Sequence, residues 1–389
     1  MTSKSFKRIL LKLKSIALLL AFLLAAINGN AQENVEPQIK SVFHQLVNAY
    51  GSSKQAPALV VLNSRSKHDT IALYVSTPKP TIYIDANLYA ICRTFEKDSV
   101  NALSVLLSHE LTHYYNDHTF CSDNAYAISK NENKSLGKVL KETNKYEMIS
   151  KETEADLKGL FYAAAAGYAP FNIQEQLLDK IYAHYQLPDS LPGYPTRLER
   201  KNIAKTAQDM ARKQYETFKI GLLANEEKNY DKAIAAFEQV NSYIPWRENY
   251  NNIGVAKTLK ALDLKVLTSE EYHFPKRFLY PLEIDNTSRL YQEQTRGMDD
   301  THEQMFALLK SAQKDFEKAI SLDPNYTKGY INLACVFDLM ENPNAAIGKI
   351  KELPKELQNT DDAKRILAIA YYHNNQEALA NDIWNALKI

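Results

Sequence analysis

Apolar residues recur at helical spacing between Gln38 and Tyr50 (Ile39, Val42, Phe43, Leu46, Val47), and Gly51 follows as a stop signal. The period then changes. Ala58 to Leu62, Thr70 to Val75 and Thr81 to Ile84 are short runs rich in β-branched and aromatic residues, separated by polar or proline breaks, which predicts a small sheet. A long helix is predicted from about Ser99 to His118, with Leu103, Leu106 and Leu107 on its core side. Residues 122–136 are polar and read as a loop. A second long helix is predicted from about Gly137 to Ala166, ended by Gly167 and Pro170. Three prolines and a glycine between Leu187 and Pro195 break regular structure, and the first domain is expected to close near residue 205.

Beyond that point the pattern repeats. Ala312, Ala346 and Ala380 are spaced by 34 residues, as are Phe316, Ile350 and Trp384. Leu333-Ala334 returns as Leu367-Ala368, and Phe337 as Tyr371. This is the tetratricopeptide period, in which small residues let paired helices approach while aromatics fill the space between them. Gly221, Ala233, Phe237 and Pro245 form an earlier unit in the same register. Residues 263–300 interrupt the repeat without a pattern of their own.

Composition alters the picture at the N-terminus. Residues 1–31 hold five basic residues and no acid, an apolar run from Ile16 to Ile27, and Gly29-Asn30-Ala31 before Gln32 as a small-residue cleavage site. They read as a signal peptide, because twelve apolar residues fall short of the roughly 20 that cross a bilayer. The expectation is therefore an exported protein, periplasmic or extracellular, soluble and not membrane-spanning after cleavage. Residues 32–205 would form the first domain and 206–389 the repeat region, with its insertion at about 263–300. Without the leader, 42 basic residues face 46 acidic ones, a net charge of −4 that gives no basic face for nucleic acid. Cys92, Cys121 and Cys335 lack metal-type pairing and are expected to be free, buried thiols.

The candidate chemistry lies in His109-Glu110-Leu111-Thr112-His113, which places two imidazoles one helical turn apart on one face, as a tetrahedral metal requires. Glu110, next to the first ligand, can then take a proton from the attacking water. Glu152-Thr153-Glu154-Ala155-Asp156 on the second helix can supply a third ligand. Glu152 and Asp156 share a face; Glu152 is assigned to the metal, and Asp156 to orienting a histidine ring through its free nitrogen. His118 is outside the two-histidine spacing and is read as a helix C-terminal cap.

These residues resemble a known family, the gluzincin zinc endopeptidases that include the HtpX, CaaX-prenyl and OMA-type proteases. The likeness spans roughly residues 40–205. It rests on His-Glu-x-x-His ending an Ala/Leu-rich helix, on Glu152 to Asp156, and on a Pro-x-Arg stretch at Pro195 to Arg197. With a signal peptide and repeats, the chain is most similar to the periplasmic, BepA-like branch, which acts in outer-membrane protein quality control. The resemblance implies an α+β zincin-like metalloprotease domain, mainly helical with a small sheet, followed by an all-α tetratricopeptide solenoid. It also implies one Zn2+ per chain, unfolded or misassembled envelope proteins as polypeptide substrates, and a protein partner on the repeats. One departure stands out: where relatives commonly carry a histidine before the proline of the third motif, this chain has Tyr194. A phenol is a poorer zinc ligand at neutral pH, its ordinary pKa being about 10. Tyr194 is instead a candidate to donate a hydrogen bond to the developing oxyanion, with Arg197 positioning the loop. Extended substrate is expected along an edge strand, with Thr81 to Asp85 as the candidate edge. The rival reading is a non-proteolytic scaffold whose zinc is structural or vestigial.

Overall fold

The computed structural model describes residues 36–62, 72–75, 79–118, 145–190, 194–268, 280–285 and 302–387. Helix α1 (Glu36–Tyr50) precedes three strands, β1 (Ala58–Leu62), β2 (Ala72–Val75) and β3 (Thr81–Asp85). Helices α2 (Ala86–Arg93), α3 (Ser99–Tyr115), α4 (Lys145–Ala165) and α5 (Gln174–Tyr185) follow. Met1–Ser41 and Val42–Ile389 are separate units. In the first, the described residues are the opening of α1, where Lys40 pairs with Glu36 at 2.6 Å. The remaining described residues belong to the second.

Helix α3 is buried along most of its length, with Leu103, Leu107 and Leu111 fully enclosed. Its partner is α4, which crosses it closely because residue 159 is glycine. A Cβ there would stand 3.1 Å from the backbone nitrogen of His109 and from the carbonyl carbon of Ser108. Gly159 falls on the same helical stripe as Glu152 and Asp156, so the closest approach of the two helices brings that acidic stripe against the end of α3. Gly167 ends α4 with a φ of +93°, and Tyr168 donates its N–H to the Ala163 carbonyl at 3.1 Å, the left-handed cap expected of glycine there.

In the sheet, β1 pairs with β3 in parallel and β2 with β3 antiparallel, giving the order β1-β3-β2. The expectation that Thr81–Asp85 is an edge is therefore corrected. Both sides of β3 are committed to neighbours, and β1 and β2 are the outer strands among the described residues. Strand β2 is the one packed beside α3.

Helix α6 (Arg197–Glu226) starts with a capping box between Thr196 and Glu199 and runs without interruption through residue 205, where the first domain was expected to close. One helix thus serves both halves. It pairs with α7 (Tyr230–Asn241), and α8 (Arg247–Thr268) pairs with α9 (His302–Leu322). Then come α10 (Thr327–Leu339) with α11 (Pro343–Lys351), a short α12 (Lys355–Gln358), and α13 (Asp361–His373) with α14 (Glu377–Asn385). The repeat is visible in the turns. Lys228, Glu341 and Asn375 each adopt a positive φ near +60°, and the next residue donates its N–H back to Ala224, Phe337 and Tyr371 respectively. Small residues make room for rings as predicted: a Cβ on Gly221 would meet Phe237, and one on Gly254 would meet Phe316. Because Gly254 lies on α8 and Phe316 on α9, the insertion separates the two helices of a single repeat. Ala312, Ala346 and Ala380 are all buried. Cys92 and Cys335 are free and buried, and burial pushes the Cys92 thiol up to about 12. Cys121, and the predicted leader and cleavage site, lie outside the described residues.

Candidate metal centre

The last turns of α3 set the centre. His109 and His113, four residues apart, turn their rings toward one another so that their Nε2 atoms are 3.0 Å apart. Glu152 reaches the same point from α4: its Oε2 lies 3.4 Å from His109 Nε2 and its Oε1 3.7 Å from His113 Nε2. Donor atoms of the three side chains fall within 4.8 Å of one another. Donors about 2.0–2.1 Å from a tetrahedral zinc stand about 3.3 Å apart, close to the separations found here.

The polar accounting points the same way. Glu152 is fully buried, yet neither of its carboxylate oxygens accepts a hydrogen bond from a described residue. Its Oε2 is 3.3 Å from Arg200 Nη2. Arg200 thus offsets the charge of this buried carboxylate, while its oxygens keep acceptor capacity toward the two histidine nitrogens. The histidines also divide their charge. Burial lowers the proton affinity of both, but Asp156 and Glu152 overcome it at His109 and raise its pKa well above the ordinary value. At His113, burial and the facing His109 hold the pKa well below the ordinary value.

Asp156 orients the first ring. Its Oδ1 accepts from His109 Nδ1 at 2.9 Å, which leaves Nε2 directed at the centre. The carboxylate is itself held by Arg200, whose Nη2 donates to Oδ1 at 3.0 Å while Nη1 donates to Oδ2, and by the side-chain amide of Gln174. Burial pushes the Asp156 carboxyl up, but Arg200 and His109 prevail and hold it at about 2.

His113 has its own support. Asp117 takes a left-handed conformation (φ +56°), and His118 donates its backbone N–H to the His113 carbonyl at 2.9 Å. The cap is made by the His118 backbone rather than by its side chain, whose ring folds back until its Nδ1 is 2.9 Å from His113 Nδ1, with Nε2 3.2 Å from Glu154 Oε2. The spacing of ligands alone could not show that contact. From the other side, Tyr50 donates to the Ser108 carbonyl at 2.7 Å and meets the Thr112 hydroxyl, fixing the end of α3.

Of the remaining candidates, Glu110 is buried at 4% exposure. Tyr194 is buried against Met148, one helical turn before Glu152, and its hydroxyl has no hydrogen-bond partner among the described residues. Arg197 does fasten the loop, through its backbone N–H to the Asp189 carbonyl at 2.8 Å, but its guanidinium is spent on Asp179 at 2.8 Å. The arginine that reaches the centre is Arg200, one turn further along α6. The sequence offered a signal for it: Arg200 lies on the i, i+3, i+4 stripe of Ile203, Ala204, Ala207 and Ala211, the face of α6 that is buried.

The sequence profile of the tetratricopeptide repeat matches residues 218–245. That stretch is the last nine residues of α6 with α7 and the turn after it, so the chain carries a tetratricopeptide repeat, a module of protein–protein interaction. No curated protein matches the chain.

Proposed function

We propose that the chain is a zinc-dependent endopeptidase of the gluzincin type, with His109, His113 and Glu152 as the metal ligands. The observation that carries this reading is the convergence of two imidazole nitrogens on a buried glutamate whose oxygens accept no hydrogen bond among the described residues. A zinc held by three protein ligands keeps a fourth position open for water and substrate, and when bound it supplies Lewis-acid polarisation of the scissile carbonyl. The protein groups do the rest. Glu110 accepts a proton from the attacking water and passes it to the leaving amine. Asp156 and His118 hold the two imidazoles by their Nδ1 atoms so that each presents Nε2, while Arg200 offsets the charge of Glu152 and Asp156. The Tyr194 hydroxyl is assigned to the developing oxyanion. Substrate adds to the outer edge of β2, beside α3, where backbone pairing tolerates varied side chains and suits unfolded or misassembled envelope proteins. The repeats bind a protein partner in the exported, periplasmic setting.

The test is direct. Purified protein is expected to hold about one zinc per chain and to cleave an unfolded substrate such as casein, whereas Glu110→Gln keeps the metal and loses cleavage. Zinc-loaded wild-type protein that cleaves nothing, with or without chelator, would support the non-proteolytic scaffold instead.

A further inference from the structure

A second constellation lies in the repeats, away from the metal centre. The segment Tyr280–Asp285 (Tyr-Pro-Leu-Glu-Ile-Asp), part of the insertion, forms neither helix nor strand and lies across α8 and α10. Three asparagines hold its main chain. Asn252 of α8 donates to the Asp285 carbonyl at 2.9 Å and accepts from the Asp285 N–H at 2.7 Å. Asn332 of α10 does the same at Glu283, with both bonds at 3.1 Å. Asn251 adds a bond to the Glu283 carbonyl at 3.1 Å and accepts from Asn332 at 2.8 Å. All three asparagines are fully buried.

A side-chain amide paired with both groups of one residue recognises backbone as such, and doing so at residues i and i+2 requires an extended chain, whose alternate N–H and C=O groups face one way. Side chains supply the selectivity. The Glu283 carboxylate is 3.3 Å from Lys328 Nζ, and the Asp285 carboxylate accepts from the Tyr326 hydroxyl at 2.8 Å. Tyr280, Leu282 and Ile284, the alternate positions, pack against the apolar repeat interior, and the Tyr280 hydroxyl bonds Asp338 at 2.7 Å. Buried asparagines are expensive in a helical core unless satisfied, and these are satisfied by a peptide backbone.

We propose that Asn251, Asn252 and Asn332, with Tyr326 and Lys328, form a binding site for an extended peptide that carries two carboxylates two residues apart, with apolar residues between and before them. Tyr280–Asp285 is the chain's own occupant of that site, and a partner peptide of the same chemistry displaces it. None of the main-chain bonds is particular to a covalently attached segment. A tethered occupant competes at an effective concentration of roughly millimolar, so it masks the site from weak ligands and yields to strong or abundant ones.

The experiment uses the mature chain and a fluorescent acetyl-Tyr-Pro-Leu-Glu-Ile-Asp-amide peptide, read by anisotropy. Glu283→Lys with Asp285→Lys, which weakens the resident segment, is expected to bind the peptide at least about tenfold more tightly than wild type. Adding Asn252→Ala and Asn332→Ala to that chain is expected to abolish binding, and a peptide with Gln and Asn at the acidic positions to bind at least about tenfold more weakly. In wild type, millimolar unlabelled peptide is expected to speed hydrogen exchange at the Glu283 and Asp285 amides, a readout that does not depend on any variant folding. Binding indifferent to the asparagines, or unchanged exchange in wild type at millimolar peptide, would overturn the proposal. Neither readout involves zinc or cleavage.

Discussion

Asp156 stands 2.9 Å from His109 Nδ1 and at the same time clasps the guanidinium of Arg200, so a residue from the start of α6 fixes a ring at the end of α3. Arg200 is 2% exposed, and both carboxylates it faces are fully buried. Breaking a buried ion pair by removing one partner strands the other charge. Arg200→Met is therefore expected to destabilise the chain by about 3–5 kcal/mol, measured by urea unfolding of the zinc-free protein. Arg197→Met, which loses solvent-exposed contacts with Asp179 and Asp189 and a contact with the Tyr182 ring, is expected to change stability by no more than about 1 kcal/mol.

The close crossing of α3 and α4 at Gly159 gives a second expectation. A side chain at 159 meets helix backbone at about 3.1 Å, and backbone cannot rotate away as a side chain can. Gly159→Val is expected to cost about 1–3 kcal/mol through overpacking, and to weaken zinc binding, because the helices must separate where Glu152 faces His109. Zinc titration with a competing chelator measures the second effect; unchanged affinity would mean that the centre tolerates the displacement.

Tyr194 separates a structural from a chemical role cleanly. Its buried hydroxyl has no partner among the described residues, so Tyr194→Phe is expected to leave the melting temperature unchanged or slightly raised. Turnover of a peptide substrate is expected to fall about 100-fold with little change in KM, as for loss of one oxyanion donor. Undiminished turnover would remove Tyr194 from the mechanism.

A pH dependence arises at Glu248, at the start of α8. Burial pushes the Glu248 carboxyl up to about 8, against the pull of Arg247, whose Nε donates to Oε1 at 2.7 Å. Between pH 4.5 and about 8 the folded chain holds a proton here that the unfolded chain has released, so folding stability declines as pH rises through this window. Urea midpoints are expected to fall more between pH 5 and pH 8 for wild type than for Glu248→Gln. Equal slopes would show that Glu248 is ionised throughout.

Several of these features could be read before any coordinates. Helical spacing placed His109 and His113 on one face, and Glu152 and Asp156 on another, because i and i+4 neighbours follow from the helix itself. The 34-residue spacing of Ala312, Ala346 and Ala380 likewise announced paired helices. Partners distant in sequence leave no such local trace. Nothing local shows that β3 lies between β1 and β2, because strand order depends on which chains meet across the sheet. Pro-x-Arg drew attention to Arg197, whereas helix phase selected Arg200.

The sequence by itself determined the long helices around the site, the pairing of imidazoles along one of them, and the repeat, since each depends on the geometry of a single element or a fixed period. Only the tertiary structure decided that Glu152 faces both histidines, that Asp156 and His118 hold their outer nitrogens, and that an insertion segment occupies the asparagines of the repeats. Those outcomes are set by how closely α3 and α4 cross at Gly159 and by which buried polar groups must find partners, and both are properties of packing between segments far apart along the chain.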